Sequence, residues 1–463
     1  MKIKRTICYS SALLFGLYCC TVCFGASEQQ DEAVGIVLDI LKSGDQEMQA
    51  VAIAMVKDMP GAEVTKALVK ELPNLSAASQ VQLLSALSDR GDAAALPAVI
   101  TAVNSKDESV RIAALKAVGQ LGDESSVDLL TRTSAATRGA EQKAARESLY
   151  RLRGSKVDGA ILTGITKAES KTKVELIKSA GERNISAGVS TLLKTAKDSD
   201  RTVRLESLKV LKVVAGPEHL PALVELLLNL QSSSDLNEAG KMIASVAHKI
   251  EDKNRQAEAV LAELPSVKDV KKQCSLLSVL GKIGDRSALP RLREALGSDN
   301  EEIRGAAIRA LAEWPTSEPA ADLMKAAENS ENKVHRILAL RGAVRLLGLD
   351  NKRGAEEIIG MYKKAMSLAP DAGEKKRVLS GLANTKSLDA LTMATGYLQD
   401  KALLKEAESA VVTIAGSIYE NFPQQTMYVL KKIVQTTNNE ALQKQAQEVI
   451  NKIEDGSSKQ VEE

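Results

Sequence analysis

The chain has 463 residues, too many for one compact core at ~100–200 residues per domain, so it is either several domains or an elongated array. It is 44% hydrophobic but only 2% aromatic, with one Trp and three Phe, which excludes ordinary large globular cores and leaves Ala, Leu, Val and Ile to do the burying. A formal net charge of +2, from 62 basic and 60 acidic residues, excludes the basic surplus of a nucleic-acid binder, and few aromatics remain to stack bases.

The first element is a basic start, Lys2, Lys4 and Arg5, followed by an apolar stretch from Ile7 to about Cys23, small Gly25 and Ala26, and the polar run Ser27–Glu32. This order predicts a secretory signal over residues 1–26, cut after Gly25 or Ala26, and a mature chain in the periplasm or secreted. Two alternatives stay open: an uncleaved anchor, and a lipoprotein signal read from Leu17-Tyr18-Cys19-Cys20. A membrane is expected only through this segment, if it is not cleaved. Four of the five cysteines (8, 19, 20 and 23) lie in it, so the mature chain keeps Cys274 alone and has no internal disulfide.

From residue 27 to 453 the pattern is one of apolar helices that repeat. Gly91-Asp92, Gly284-Asp285 and Gly216-Pro217 each follow an apolar helix and precede a Leu-Pro pair, and Gly122-Asp123 repeats the turn without the Pro. Gly is expected to supply the positive φ of a helix C-terminus, and Asp, Ser or Pro to open the next helix. A second signature lies half a repeat away: Asp107-x-x-Val110-Arg111, Asp200-x-x-Val203-Arg204 and Asn300-x-x-Ile303-Arg304 each open an Ala- and Leu-rich helix. Asp or Asn there reads as the N-cap, and each Arg as the donor of a local bond to a neighbouring acid or carbonyl. The step in sequence number from Asp92 to Asp123 is the same as that from Ile303 to Val334, and the step from Val110 to Val203 is three times as long. One period therefore runs from Asp92 to Asp123, and the same register puts His335 at the Arg position. A unit of this length fits two helices and two short loops, and such a pair buries its apolar face only by stacking on its neighbours.

The Asp-x-x-Val-Arg opening, the Ala-rich second helix and the Leu-Gly-Asp turn resemble HEAT repeats, in particular the short bacterial HEAT-like repeats of phycobilisome (PBS) lyases. The resemblance covers most of residues 30–450, is sharp at 79–130, 198–228 and 270–348, and elsewhere rests on helical periodicity. The stretch from Trp314 to Gly348 also resembles the HEAT region of large exported bacterial proteins, some of which carry a sugar-hydrolase domain that this sequence lacks. The resemblance implies an all-α fold, a right-handed α–α superhelix (a HEAT/ARM-like solenoid) of about a dozen helix pairs, with the second helices lining a concave face. Ser232–Asp235 and Lys253–Arg255 predict longer loops, and Glu454–Glu463 a disordered polar tail.

Catalytic chemistry is not visible. The three His (219, 248 and 335) form no metal-binding pattern, so no metal or cofactor is expected. Cys274 opens an apolar helix and reads as an inert packed thiol rather than a nucleophile. Gly281-Lys282-Ile283-Gly284 joins a helix to a turn rather than cradling phosphate. The function expected is a non-catalytic scaffold holding a protein partner of unknown identity against the concave surface. Lys116, Lys209 and Arg309, which stand at one equivalent position after the Val or Ile of each signature, are the candidate partner surface. One alternative is an accessory subunit or enzyme, lyase-like or linked to polysaccharide breakdown, against which the aromatic poverty and single Cys weigh. Trp314, the only Trp, is assigned to packing. A structural envelope spacer is the other.

Overall fold

The computed structural model describes residues 26–59, 61–349 and 353–459. The expected signal segment lies outside them, apart from Ala26, which begins the first helix. Among the described residues there are twenty-six α-helices, seven short 3₁₀ turns and no strand. The helices form thirteen consecutive antiparallel pairs. Contacts divide them into a unit ending at Val214, with six pairs, and a unit beginning at Ala215, with seven.

The same build holds inside each unit. The first helix of a pair packs on the second, except that Ala62–Glu71 meets Ala77–Arg90 through the 3₁₀ turn Leu72–Asn74, and the second helices stack on one another in a continuous layer. Small residues make that stacking close. A Cβ added at Gly119 would sit 2.6 Å from the Ser148 Cβ, and one at Gly281 would sit 2.6 Å from the Ala310 Cα, each on the next second helix. The core between layers is Leu, Val, Ile and Ala, and Trp314 is buried within it at 1% exposure. A chain almost without Phe therefore buries itself by bringing helix axes together rather than by filling space between them.

Three expectations change. Ser232–Asp235 is not a loop: Ser233–Ala247 is helical, because Leu236, Ala239, Gly240, Met242 and Ile243 give that segment an apolar face that its polar first turn does not interrupt. The polar residues from Glu454 do not begin a tail. They extend the last helix, Glu440–Lys459, since lengthening an existing helix avoids the cost of nucleating one. Residues 460–463 lie outside the described residues. Nor does glycine play one role at every turn. Gly91 and Gly284 do adopt φ of +73° and +69°. Gly122 and Gly216 are extended at −79° and −96°. Gly122 is small for another reason: a Cβ there would meet the Ser126 Oγ at 2.5 Å and the Val118 carbonyl oxygen at 2.6 Å.

Candidate functional site

Each signature acid caps its helix. Asp107 accepts from the backbone N–H of Ser109 (2.8 Å) and Val110 (3.2 Å), Asp200 from Thr202 (2.7 Å) and Val203 (3.3 Å), and Asn300 from Glu302 (2.9 Å) and Ile303 (3.2 Å). The Ser109 hydroxyl holds Asp107 below the usual carboxylate range, and the Thr202 N–H and Ser170 hydroxyl do so for Asp200. The Arg then reaches back over the loop between the two helices. Arg111 Nη1 donates to the carbonyls of Ser105 and Lys106, Arg204 Nη1 to those of Asp198 and Ser199, and Arg304 Nη1 to that of Ser298. Arg111 also grips Glu141 of the next second helix through Nε and Nη2, at 3.1 and 3.0 Å.

This loop clamp is commoner than the arginines. Positions 49, 80, 111, 142, 173 and 204 follow one another at the interval of a single period. Gln49 Nε2 donates to Leu41 O, Gln80 Nε2 to Leu75 O and Gln142 Nε2 to Ser134 O, at 2.7, 3.0 and 2.8 Å. Gln273, a full period before Arg304, clamps Val267 O. Lys173 reaches the Asp198 carboxylate instead.

The step from Asn300 to Asn332, which leads to His335, is one position longer than the step from Asp269 to Asn300 before it. Asn332 caps Val334 and His335, as Asn300 caps Glu302 and Ile303, so His335 stands where Ile303 does and Arg336 where Arg304 does. The exposures agree: Val334 is 59% exposed and His335 only 7%. The imidazole fills a core position beside Gly305, and its Nδ1 has no hydrogen-bond partner. Burial, with help from Arg304 and Arg309, pushes its pKa down against the pull of Glu301.

The Gly-Asp turns tie a repeat to the one before it. Asp285 caps Ser287 through Oδ1 and accepts from the Ala257 N–H through Oδ2 at 2.7 Å. Asp92 caps Ala94 and accepts from the Thr65 hydroxyl at 2.6 Å, which holds its carboxyl low. Asp123 takes only the Ser125 N–H and hydroxyl. Cations at the ends of second helices cover the C-terminal carbonyls of the preceding one: Arg90 on Val56, Arg183 on Tyr150 and Leu152, and Arg345 on Ala312 and Trp314.

Lys116, Lys209 and Arg309 all lie on the exposed side of their second helices, at the same place relative to the cap. Within the first unit Lys116 and Lys209 are three helices apart, with Glu147 and Lys178 at the same position between them. Lys178 pairs with Glu175 at 3.0 Å and Lys209 with Glu206 at 3.5 Å. In the second unit the longer repeat puts Arg341 at this position, gripping the nearly buried Glu374 through Nε and Nη2. Arg309 edges a groove of about 320 Å³ across three second helices, with Asn237, Cys274, Ser278, Lys282 and Glu313. Cys274 is half-buried there rather than packed away, and burial followed by Glu302 raises its thiol pKa. Among the described residues no group of three or more His, Cys, Asp or Glu is placed to hold a metal ion.

HEAT repeats, as a family, match residues 65–150 and 257–345. The chain is a HEAT-repeat α-solenoid. The match takes in 131–150, where only periodicity spoke for a repeat, and leaves out the signature at Asp200, whose cap and clamp nonetheless have the HEAT geometry found at Asp107. No curated protein matches the sequence. Similar solved solenoids include the karyopherin Kap121p bound to the SUMO protease Ulp1p (TM-score 0.52, 10% identity, 92% of this chain and 53% of that one). Kap121p bound to Nup53p is comparable (TM-score 0.53, 11% identity, 91% and 53%). This HEAT solenoid thus spans about half the length of those chains, and at such identity the likeness is one of fold. Among its described residues no helix is long and apolar enough to cross a membrane.

Proposed function

We propose that this protein is an exported, non-catalytic scaffold that holds a protein partner against the exposed face of its second helices. The observation that carries the reading is a cation at one position of several second helices: exposed Lys116 and Lys209 with half-buried Lys178 in the first unit, where Glu147 interrupts the run, and exposed Arg309 and Arg341 in the second. A repeated, rigidly stacked layer offers an extended surface on which a partner is read at regular intervals. The similar solenoid Kap121p, solved with Ulp1p, Nup53p and Ste12p bound, supports a protein as the kind of ligand. The reading is tested by cross-linking the purified protein into its own envelope fraction, with Lys116→Glu, Lys209→Glu and Arg309→Glu as variants. One partner should be captured by the parent and lost, about tenfold or more, in the triple variant with its helical content and melting unchanged. Equal capture by both, or turnover of a substrate abolished by a single side-chain change, would sink it.

Export rests on Lys2, Lys4, Arg5 and the apolar stretch Ile7–Cys23. Its test is the N-terminus of the protein recovered outside the cytoplasm. Mass spectrometry should find it beginning at Ala26 or Ser27. A chain still carrying Met1 and confined to the cytosol would end that part of the proposal.

A further inference from the structure

The first of the stacked second helices, Gln46–Val56, is apolar on two sides. Gln49, Ala52, Ile53 and Val56 are buried. On another side Met48, Val51 and Met55 are 36, 52 and 39% exposed, at the spacing of one helical stripe, with Ala54 exposed beside them. The register of the repeat says what that stripe is for. Met48 corresponds to Glu141, Val51 to Glu175, and Met55 to Ser148 and Val210. Every one of those touches the second helix before it. Glu141 takes Arg111, Glu175 takes Arg146, and Ser148 and Val210 pack against Gly119 and Gly181. The stripe is the face on which the layer receives a preceding second helix, and no second helix precedes this one among the described residues.

We infer that the stripe is covered by the same stripe of a second copy of this chain, the two Gln46–Val56 helices packing antiparallel about a twofold axis. Two observations choose this occupant. First, the layer's own way of covering this face is another second helix of its own kind. Second, the last second helix, Glu440–Lys459, exposes Lys444, Gln447, Glu448, Asn451 and Lys452, so stacking one copy's start on another's end would set Met and Val against charge. Start against start sets Met and Val against Met and Val, and flexible Met side chains adapt to their own copies. Three apolar side chains per copy fall short of the ~800 Å² per partner of a standard stable interface, so the dimer forms and dissociates with concentration.

The experiment is sedimentation velocity over a wide concentration range on protein purified from the exported fraction, its N-terminus read by mass spectrometry. A monomer–dimer equilibrium is expected, weakened more than about tenfold by Val51→Glu, since each copy contributes the residue. Gln447→Glu at the opposite end should leave it unchanged. Val51→Cys in a Cys274→Ser background should oxidise to a disulfide-linked dimer. These positions are exposed, so circular dichroism and melting of Val51→Glu should match the parent. A monomer at every concentration, or a dimer that persists in Val51→Glu combined with Met55→Glu, overturns the inference.

Discussion

Glu175 receives the Arg146 guanidinium in a two-pronged grip, Nε to Oε2 at 2.5 Å and Nη2 to Oε1 at 2.7 Å, across the joint between neighbouring second helices. The carboxylate is 5% exposed. Burial raises its pKa, and the bonds from Arg146 and Lys178 more than reverse this, leaving it below the usual range. A depressed folded pKa contributes stability that is present above the unfolded value and lost as pH falls through the folded one. Arg146→Met leaves the carboxylate with Lys178 alone, so burial dominates. Urea denaturation should show a loss of about 1–3 kcal/mol at neutral pH that narrows below about pH 4. An equal loss at both would mean that packing of the Arg stem, not charge, holds the joint.

Gly281→Ala sets a helix-propensity gain of about 1 kcal/mol against overpacking of about 1–3 kcal/mol. The new Cβ meets the Cα and carbonyl oxygen of Ala310 at 2.6 and 2.7 Å, and backbone cannot step aside as a side-chain tip can. Thermal melting should therefore fall. Gly360→Ala, on the exposed face of helix Ala355–Leu368 with nothing within 4 Å, should instead raise it.

His335→Ile restores the residue type that Val110, Val203 and Ile303 hold at this position, and removes a buried nitrogen without a partner. A gain of about 1 kcal/mol is expected at neutral pH. In acid the gap should widen. The folded pKa of His335 lies below its ordinary 6.5, so the parent loses stability as pH falls from there through the folded value, and the variant has no such proton to bind. Parallel denaturation curves across that window would count against a titrating His335 in the core.

Asp285→Ala should cost more than Asp123→Ala. Both lose a cap worth about 1 kcal/mol. Only Asp285 also leaves an orphan, the Ala257 N–H on a fully buried residue, at about 1–3 kcal/mol more. Denaturation gives the difference, and faster hydrogen exchange at the Ala257 amide would locate it.

What the sequence discloses follows the range of each interaction. The caps at Asp107, Asp200 and Asn300 act over a single turn of chain and need a short side-chain oxygen, so they stand out as a motif. The loop clamp needs only a donor long enough to reach a carbonyl. Gln serves as well as Arg at 49, 80, 142 and 273, and no residue type marks the series. Val334 next to His335 imitates the Ile303-Arg304 pair, and only the cap from Asn332 shows the true register and with it the place of Arg341. The stripe Met48-Val51-Met55 looks like ordinary core because hydrophobicity does not say which side of a helix lacks a neighbour.

The grips of Arg146 on Glu175 and Asp285 on Ala257, and the cover of Arg345 over Trp314, all bridge adjacent repeats and go no farther. Tension applied along ties of this kind is not shared between distant repeats. It loads one joint at a time, so the molecule should lengthen in small, separate, reversible steps rather than rupture at once. Protein built this way takes up strain between the things it connects as a spring does, returning the work when the load is released.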